Sequence, residues 1–234
     1  MNLRTISIVI PVFNEETTIL AVIESVKKSN TLGLKKEIIV VDDASTDRTF
    51  EVLKKIKGIS TLHHTENAGK GRALRTGFDA CTGDVVLIQD ADMEYSPEDY
   101  PKLLHPILHN DADVVYGSRF VGGQAHRVIF FSHYVANHLL TFYCNLFTNL
   151  NLTDMECGYK IMRASALRKI QKSLVSNRFG IEPELTIKLS KIPKVRFYEV
   201  GIGYQGRTYD EGKKIGLLDG LKAVIQITFF SLFS

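Results

Sequence analysis

With 234 residues the chain can bury roughly 70% of the surface that its unfolded form exposes, so it needs no disulfide or metal staple to hold one large domain together. Its 44% apolar and 24% charged residues exclude a disordered chain. A net charge of only +3 argues against a general nucleic-acid binder.

The first element is a strand over 6–10, an apolar β-branched run that Pro11 is expected to stop. That run is too short, and its small-residue pattern wrong, for a signal peptide. Apolar side chains at Ile19, Val22, Ile23 and Val26 predict a helix over 17–28. A strand over 37–41, a turn over 42–46 and a helix over 49–56 repeat the unit, with Ser45 as the expected helix cap. A short third strand spans 59–62 and a third helix 70–81. The fourth strand, 84–88, is apolar on both faces, as the centre of a parallel sheet covered by helices requires. Residues 1–95 therefore read as an α/β nucleotide-binding half.

Ser96 and Pro97 are placed to open a helix through 101–108, which Pro106 is expected to end early. A strand over 114–116 follows. The glycines among residues 117–127 mark a loop, 133–147 an aromatic-rich helix, 184–189 a short helix and 195–200 a late strand. No repeat, low-complexity segment or linker divides the chain. One α/β domain over 1–216 is expected, split into halves at 1–95 and 96–216, with an amphipathic or apolar helix over 217–234.

The acidic run Asp90, Asp92 and Glu94 follows the carboxyl end of a buried strand, the edge at which open α/β sheets bind ligands. Hard oxygen ligands there suit Mg²⁺ or Mn²⁺ bridging a diphosphate, and such an ion takes up charge on a departing nucleoside diphosphate. An Asp-x-Asp arises by chance in roughly half of chains this long, so position has to decide. A second pair, Asp111 and Asp113, precedes its strand on the opposite edge and reads as a solvated turn. Glu15 follows the first strand, and Asp42 and Asp43 the second, where a carboxylate can meet a base edge or a ribose hydroxyl. Asp43 is favoured for that contact, whereas Asp42 reads equally as a turn residue. The stretch Asn67-Ala68-Gly69-Lys70-Gly71-Arg72 opens a helix and offers backbone N–H groups and positive charge to an anion. It lacks the spacing of a Walker loop or a dinucleotide fingerprint, against a kinase, ATPase or dehydrogenase.

Taken in order, several stretches resemble family 2 glycosyltransferases of the GT-A fold, a Rossmann-like, mostly parallel sheet flanked by helices. The resemblance is to the polyprenyl-phosphate sugar transferases, which include dolichyl-phosphate mannose and glucose synthases. It is carried by Ile10-Pro11-Val12-Phe13-Asn14-Glu15, Val41-Asp42-Asp43-Ala44-Ser45-Thr46-Asp47, Asn67-Ala68-Gly69-Lys70-Gly71, Asp90-Ala91-Asp92 and Gly117-Ser118-Arg119-Phe120. It implies nucleoside contacts from Pro11, Phe13, Glu15, Val41 and Asp43. It also implies diphosphate contacts from Asp90, Ala91 and Asp92, a metal among Asp90, Asp92 and Glu94, and an acceptor phosphate at Arg119. Mannose synthases often carry Gln at the position of Glu94. Leu152 to Lys160 resembles the acceptor-side motif. Asp154 by itself reads as a surface-loop carboxylate, but the resemblance puts it near the attacking oxygen, where it would orient an already anionic phosphate. Residues 206–214 resemble the segment that closes over the phosphates, with Arg207 and Lys214 as its contacts, and Lys70 is grouped with them. Glu182 and Glu184 read either as helix caps or as residues facing the sugar.

The implied partners are a UDP- or GDP-sugar, a polyprenyl phosphate and a membrane surface, and no nucleic acid. No stretch reaches the roughly 20 apolar residues of a membrane span. The recurrence of Leu217, Leu218, Leu221, Val224, Ile225 and Phe229 instead predicts a helix lying in the headgroup layer, or else a core or oligomer contact. Phe130, Phe131, Phe142, Tyr143 and Phe147 extend the same surface. The chain is thus expected to work peripherally, with a membrane-protein partner, as a homo-oligomer or as part of a longer chain, since its end is abruptly apolar. Cys81, Cys144 and Cys157 lack the pairing of zinc or redox motifs and predict a reduced, cytoplasmic setting. Sugar transfer to a lipid phosphate, with inversion, is the leading reading. The alternatives are a soluble or polysaccharide acceptor, with Asp154 as general base, and a noncatalytic nucleotide-sugar or membrane-binding subunit.

Overall fold

The computed structural model describes residues 3–122, 127–128, 130–206 and 217–233. A seven-stranded sheet, in the order β3-β2-β1-β4-β6-β5-β7, forms its centre. Its strands are β1 Thr5–Val12, β2 Lys35–Asp42, β3 Ser60–His63, β4 Val85–Ile88, β5 Val114–Ser118, β6 Lys160–Arg163 and β7 Phe197–Gly201. Only β6 runs against its neighbours, pairing antiparallel with both β4 and β5. The helices are α1 Ile19–Lys28, α2 Thr49–Lys55, α3 Lys70–Ala80, α4 Tyr100–His109, α5 Phe131–Thr148, α6 Ala164–Ile170, α7 Ile181–Ser190 and α8 Leu217–Phe233.

Sequence periodicity accounts for the first half. β1 and β4 are buried along nearly their whole length because helices cover both faces. α1 turns Ile19, Val22, Ile23 and Val26 into the core, the three- and four-residue spacing of one helix face. Gly77 lets α3 lie close on the sheet, since a Cβ there would come within 2.3 Å of Val9.

Several expectations need correction. Pro11 does not stop β1, which runs on to Val12 beside β2. The ladder with β4 has already ended at Val9 and Ile88, so no bond on that side calls for the missing N–H. Pro106 lies inside α4, which continues to His109, and its carbonyl accepts from the Asn110 and Ala112 N–H groups. Ser96 does cap the following turn, accepting from Glu98 N–H at 3.3 Å. Ser45 does not cap α2, whose N-cap position is Arg48; Asp47, one residue before it, accepts from Thr49 N–H at 2.9 Å instead. Gly117 and Ser118 complete β5 instead of opening a loop. β6 and α6 lie where the sequence pattern predicts no element.

Candidate active site

The loops after β1, β2 and β4 meet at one edge of the sheet. Each places a non-glycine residue in the left-handed region: Asn14 at φ 53°, Ala44 at φ 57° and Met93 at φ 63°. Such backbone is uncommon and persists where its surroundings hold it. Asn14 supplies one such hold, taking Thr46 N–H at 2.8 Å while its own N–H donates to Ser45 Oγ at 2.9 Å. Glu15 is buried, and its carboxylate accepts from Thr18 Oγ1, which also reaches the Ala91 carbonyl. Glu15 and Ala91 are thereby joined through one hydroxyl. Pro11 is buried at the end of β1 and Phe13 is half-buried beyond it. Val41 lies in a small core cluster with Ile39 and Ala73, so its side chain faces α3 rather than solvent.

Asp42 is fully buried and bonds Ser45 and His63, the structural alternative of its two readings. Asp43 organises the turn before α3. Its carboxylate meets His64 Nδ1 at 2.7 Å, Asn67 Nδ2 at 2.9 Å, Ala68 N–H at 3.1 Å and Gly69 N–H at 2.6 Å. The anion held by this turn is thus the protein's own, and Arg72 N–H goes to the Asn177 carbonyl at 2.9 Å. Gly69 and Gly71 serve close packing instead of an anion cradle, since a Cβ on either would strike the 176–178 backbone at 2.5–2.6 Å.

Held in this way, Lys70 extends from the start of α3 to Asp90 Oδ1 at 2.7 Å and Glu182 Oε1 at 3.0 Å. Burial alone would lower its pKa, but the two carboxylates outweigh it and hold the ammonium above its ordinary range. Glu182 also takes the ammonium of Lys160, which is fully buried and donates to the Met155 and Cys157 carbonyls as well. Burial pushes the Glu182 carboxyl up, and the two lysines bring it below its usual value. Glu184 is structural, accepting from Val175 and Ser176 N–H at 2.8 Å each and from Lys188 at 2.7 Å.

Asp92 has the opposite surroundings. Burial, then Asp90 and Glu94, push its carboxyl up to about 7. Glu94 accepts from Tyr204 OH at 3.1 Å. Among the described residues no three His, Cys, Asp or Glu side chains stand together as a ready-made metal cage. The chemistry still fits a divalent cation. Mg²⁺ is commonly held by one or two carboxylates, with substrate phosphates completing its shell, and a cation beside Asp92 relieves the crowding of like charges.

The acceptor side meets this edge through the loop before β6. Asp154 is fully buried rather than on the surface, because Arg119 binds it bidentately at 2.7 and 2.6 Å and also donates its backbone N–H. Ser118 Oγ folds the chain around Arg119 by accepting from Phe120 and Val121 N–H. Glu199 of β7 anchors the other partner through Thr153 and Asp154 N–H. Arg119 also stacks near the rings of Phe120 and Tyr204, 5.5 and 5.3 Å away.

Sequence reasoning missed three parts of the site. Gln89 is buried and its amide oxygen accepts from both Tyr100 and Tyr159 hydroxyls, fixing the start of the acidic loop. Gly158 lets that loop close, since a Cβ there would lie 2.1 Å from Asp90 Oδ2. Lys160 stood only at the end of the acceptor-side motif, with no role of its own. A glycine two residues before a lysine in an otherwise apolar stretch was the only local hint. Arg207 and Lys214 lie outside the described residues.

α5 passes beside Arg119 through ring contacts of Phe120 with Tyr134 and His138. α8 packs on α5 and α7 through Ala223, Ile227 and Phe230, with Tyr143 OH bonded to Thr228 at 2.9 Å. One face is therefore a core contact, while Ile225, Phe229 and Leu232 of α8 are exposed, as are Leu139, Phe142 and Leu146 of α5. Among the described residues no helix is long and apolar enough to cross a membrane. All three cysteines are free thiols, and burial pushes Cys144 and Cys157 up to about 12.

The sequence profile of glycosyl transferase family 2 matches residues 7–171. An undecaprenyl-phosphate mannosyltransferase of Micrococcus luteus is 31% identical over 206 residues, 85% of this chain and 83% of the relative. A dolichol-phosphate mannosyltransferase of Pyrococcus furiosus is 28% identical over 90% of this chain and 60% of its own length. A UDP-N-acetylglucosamine–dolichyl-phosphate N-acetylglucosaminyltransferase of Methanococcus voltae is 25% identical over 98% of this chain and 97% of its own. Among solved structures, glucosyl-3-phosphoglycerate synthase of Mycobacterium tuberculosis, crystallised with Mn²⁺, UDP and glucosyl-3-phosphoglycerate, superposes with a TM-score of 0.72 at 26% identity, covering 97% of this chain and 80% of that one. The same enzyme with Mg²⁺ and UDP gives 0.71 at 28%, covering 97% and 79%.

Proposed function

Because the chain belongs to glycosyl transferase family 2 and is a hexosyltransferase of the GT-A fold, we propose that it moves a hexose, with inversion, from a UDP- or GDP-sugar to a polyprenyl phosphate at the cytoplasmic face of a membrane. The observation that carries this reading is a juxtaposition. The crowded carboxylates at the end of β4 and the Asp154-bound Arg119 flank one sheet edge, and Phe120, next to Arg119 in the chain, touches α5, which packs on α8 and like it carries exposed apolar side chains. Exposed apolar side chains on packed helices suit a contact surface, and a lipid acceptor supplies a matching one.

In this mechanism Mg²⁺ or Mn²⁺, when bound, draws charge from the leaving diphosphate. Asp92 is the carboxylate placed to hold it, with Asp90 and Glu94 adjoining. Pro11, Phe13 and Glu15 border the space for the nucleoside. Lys70 keeps Asp90 in place and brings positive charge toward the diphosphate. Arg119, with its guanidinium fixed by Asp154, orients the acceptor phosphate, whose oxygen is anionic near neutral pH and needs no strong base. Asp154 is thus a positioning residue for Arg119. Arg207 and Lys214 are proposed as further phosphate contacts.

A soluble phosphorylated acceptor is the second reading, favoured by the likeness to glucosyl-3-phosphoglycerate synthase. A panel of UDP- and GDP-sugars with dolichyl phosphate, undecaprenyl phosphate and 3-phosphoglycerate, read for released nucleotide and glycosylated product, separates the two. Glycosylated lipid phosphate is expected with Mg²⁺ or Mn²⁺ and not after chelation. Product only with 3-phosphoglycerate overturns the lipid reading.

A further inference from the structure

Glu156 lies two residues beyond Asp154 in the loop that leads into β6. Arg119 already occupies both oxygens of Asp154, whereas Oε1 of Glu156 has no bond among the described residues. That oxygen is sealed from solvent, while the residue as a whole stays partly exposed. A carboxylate oxygen buried without a donor is costly as an anion and far less so as the carbonyl of a neutral acid.

The groups around it act in the same direction. Glu182 faces it from α7 and Asp154 from its own loop, and α5 adds the Cys144 thiol. The nearby cations, Lys160 of β6 and Arg119 beyond β5, are already bound to Glu182 and Asp154. Burial first, then Glu182, push the Glu156 carboxyl up to about 7.

We propose that Glu156 is an acceptor-binding residue that works as a neutral acid, donating its O–H from Oε2 to an anionic oxygen of the phosphate held at Arg119. The assignment rests on the phosphate-acceptor reading. An ionised carboxylate here would repel a phosphate dianion, whereas the acid form adds a charge-assisted hydrogen bond without adding charge. The proton balance is simple. The dianionic oxygen attacks the anomeric carbon, the bond from that carbon to the diphosphate breaks, the phosphate becomes a monoanionic diester, and Glu156 keeps its proton. Acceptor affinity then falls as pH rises through the range in which Glu156 ionises.

Two measurements on the whole chain test this. Isotope-edited infrared spectra of carboxyl-labelled glutamate, taken without substrate, are expected to show a protonated-acid carbonyl band that titrates near neutrality and is missing from E156Q. In steady-state transfer to a short polyprenyl phosphate in detergent, the wild-type acceptor KM is expected to climb about tenfold per pH unit on the alkaline side. E156A raises that KM about tenfold at pH 7, the worth of a hydrogen bond to a charged group. E156Q, which still offers a donor, recovers most of the loss and flattens the climb. An E156Q enzyme with the wild-type alkaline climb, or a wild type without the titrating band, overturns this role alone. Absence of transfer to any phosphate acceptor overturns the acceptor reading and this role together, even where the band is present.

Discussion

Two Asp-x-Asp pairs stand on opposite edges of one sheet, and their surroundings separate them. Asp113, at the start of β5, has Arg196 at 3.1 Å and Arg163 at 3.9 Å, and despite some burial these bonds hold its carboxyl below the usual range. Asp111 pairs with Arg196 from an exposed position. Past the end of β4, Asp90 pairs with Lys70, which Glu182 also claims, and Lys70 reaches Asp92 only as the weakest of the influences on it. Asp92 is consequently driven up to about 7 by burial and by its neighbours. One pair has been neutralised by the fold, and the other retains charge that calls for a ligand.

The largest expected effect falls on that second pair. D92N should lower turnover by about 10²–10³-fold, the scale of losing one preorganised electrostatic contact. It should also raise Tm above pH 7. A carboxyl whose pKa is raised by folding makes the folded state bind the extra proton, so the native chain loses stability as pH climbs from the ordinary 3.8 to about 7. Asn avoids that loss, and the gain should vanish near pH 4. Matched transfer assays and thermal scans check both parts, and equal activity of D92N and wild type would erase the contrast.

Next comes the shared cation. K70M leaves Asp90 and Glu182 partly buried against each other and should cost about 3 kcal/mol in urea unfolding at pH 7. G158A should follow at about 2 kcal/mol, because its Cβ would displace Asp90, and turnover should fall with it. The smallest effect is expected on the opposite edge. R196M, at an exposed ion pair, should shift Tm by no more than a few degrees and leave transfer rates within about twofold of wild type. A large activity loss in R196M would show that the first Asp-x-Asp is not alone in the chemistry.

The two edges also differ in how far they could be read from residues. Strand-end position alone separates Asp90 and Asp92 from Asp111 and Asp113, because β1 through β4 announce themselves as apolar runs alternating with amphipathic helices. The acceptor side was less legible. Arg119 and Asp154 are both visible as motif residues, yet nothing local says that they bind each other. β6 escaped because it is short and opens on a lysine that is fully buried only by virtue of Met155, Cys157 and Glu182.

The order of apolar and polar residues by itself determined the α/β alternation, the active edge and the acidic run upon it, since hydrophobic periodicity and strand ends are local properties. The tertiary structure decided which charges are spoken for. Asp43 ties the turn before α3, Asp154 holds Arg119, Lys70 joins Asp90 to Glu182, and one buried oxygen of Glu156 is left unbonded among the described residues. The reason is physical: a side chain's charge state depends on burial and on partners that the fold brings from distant parts of the chain.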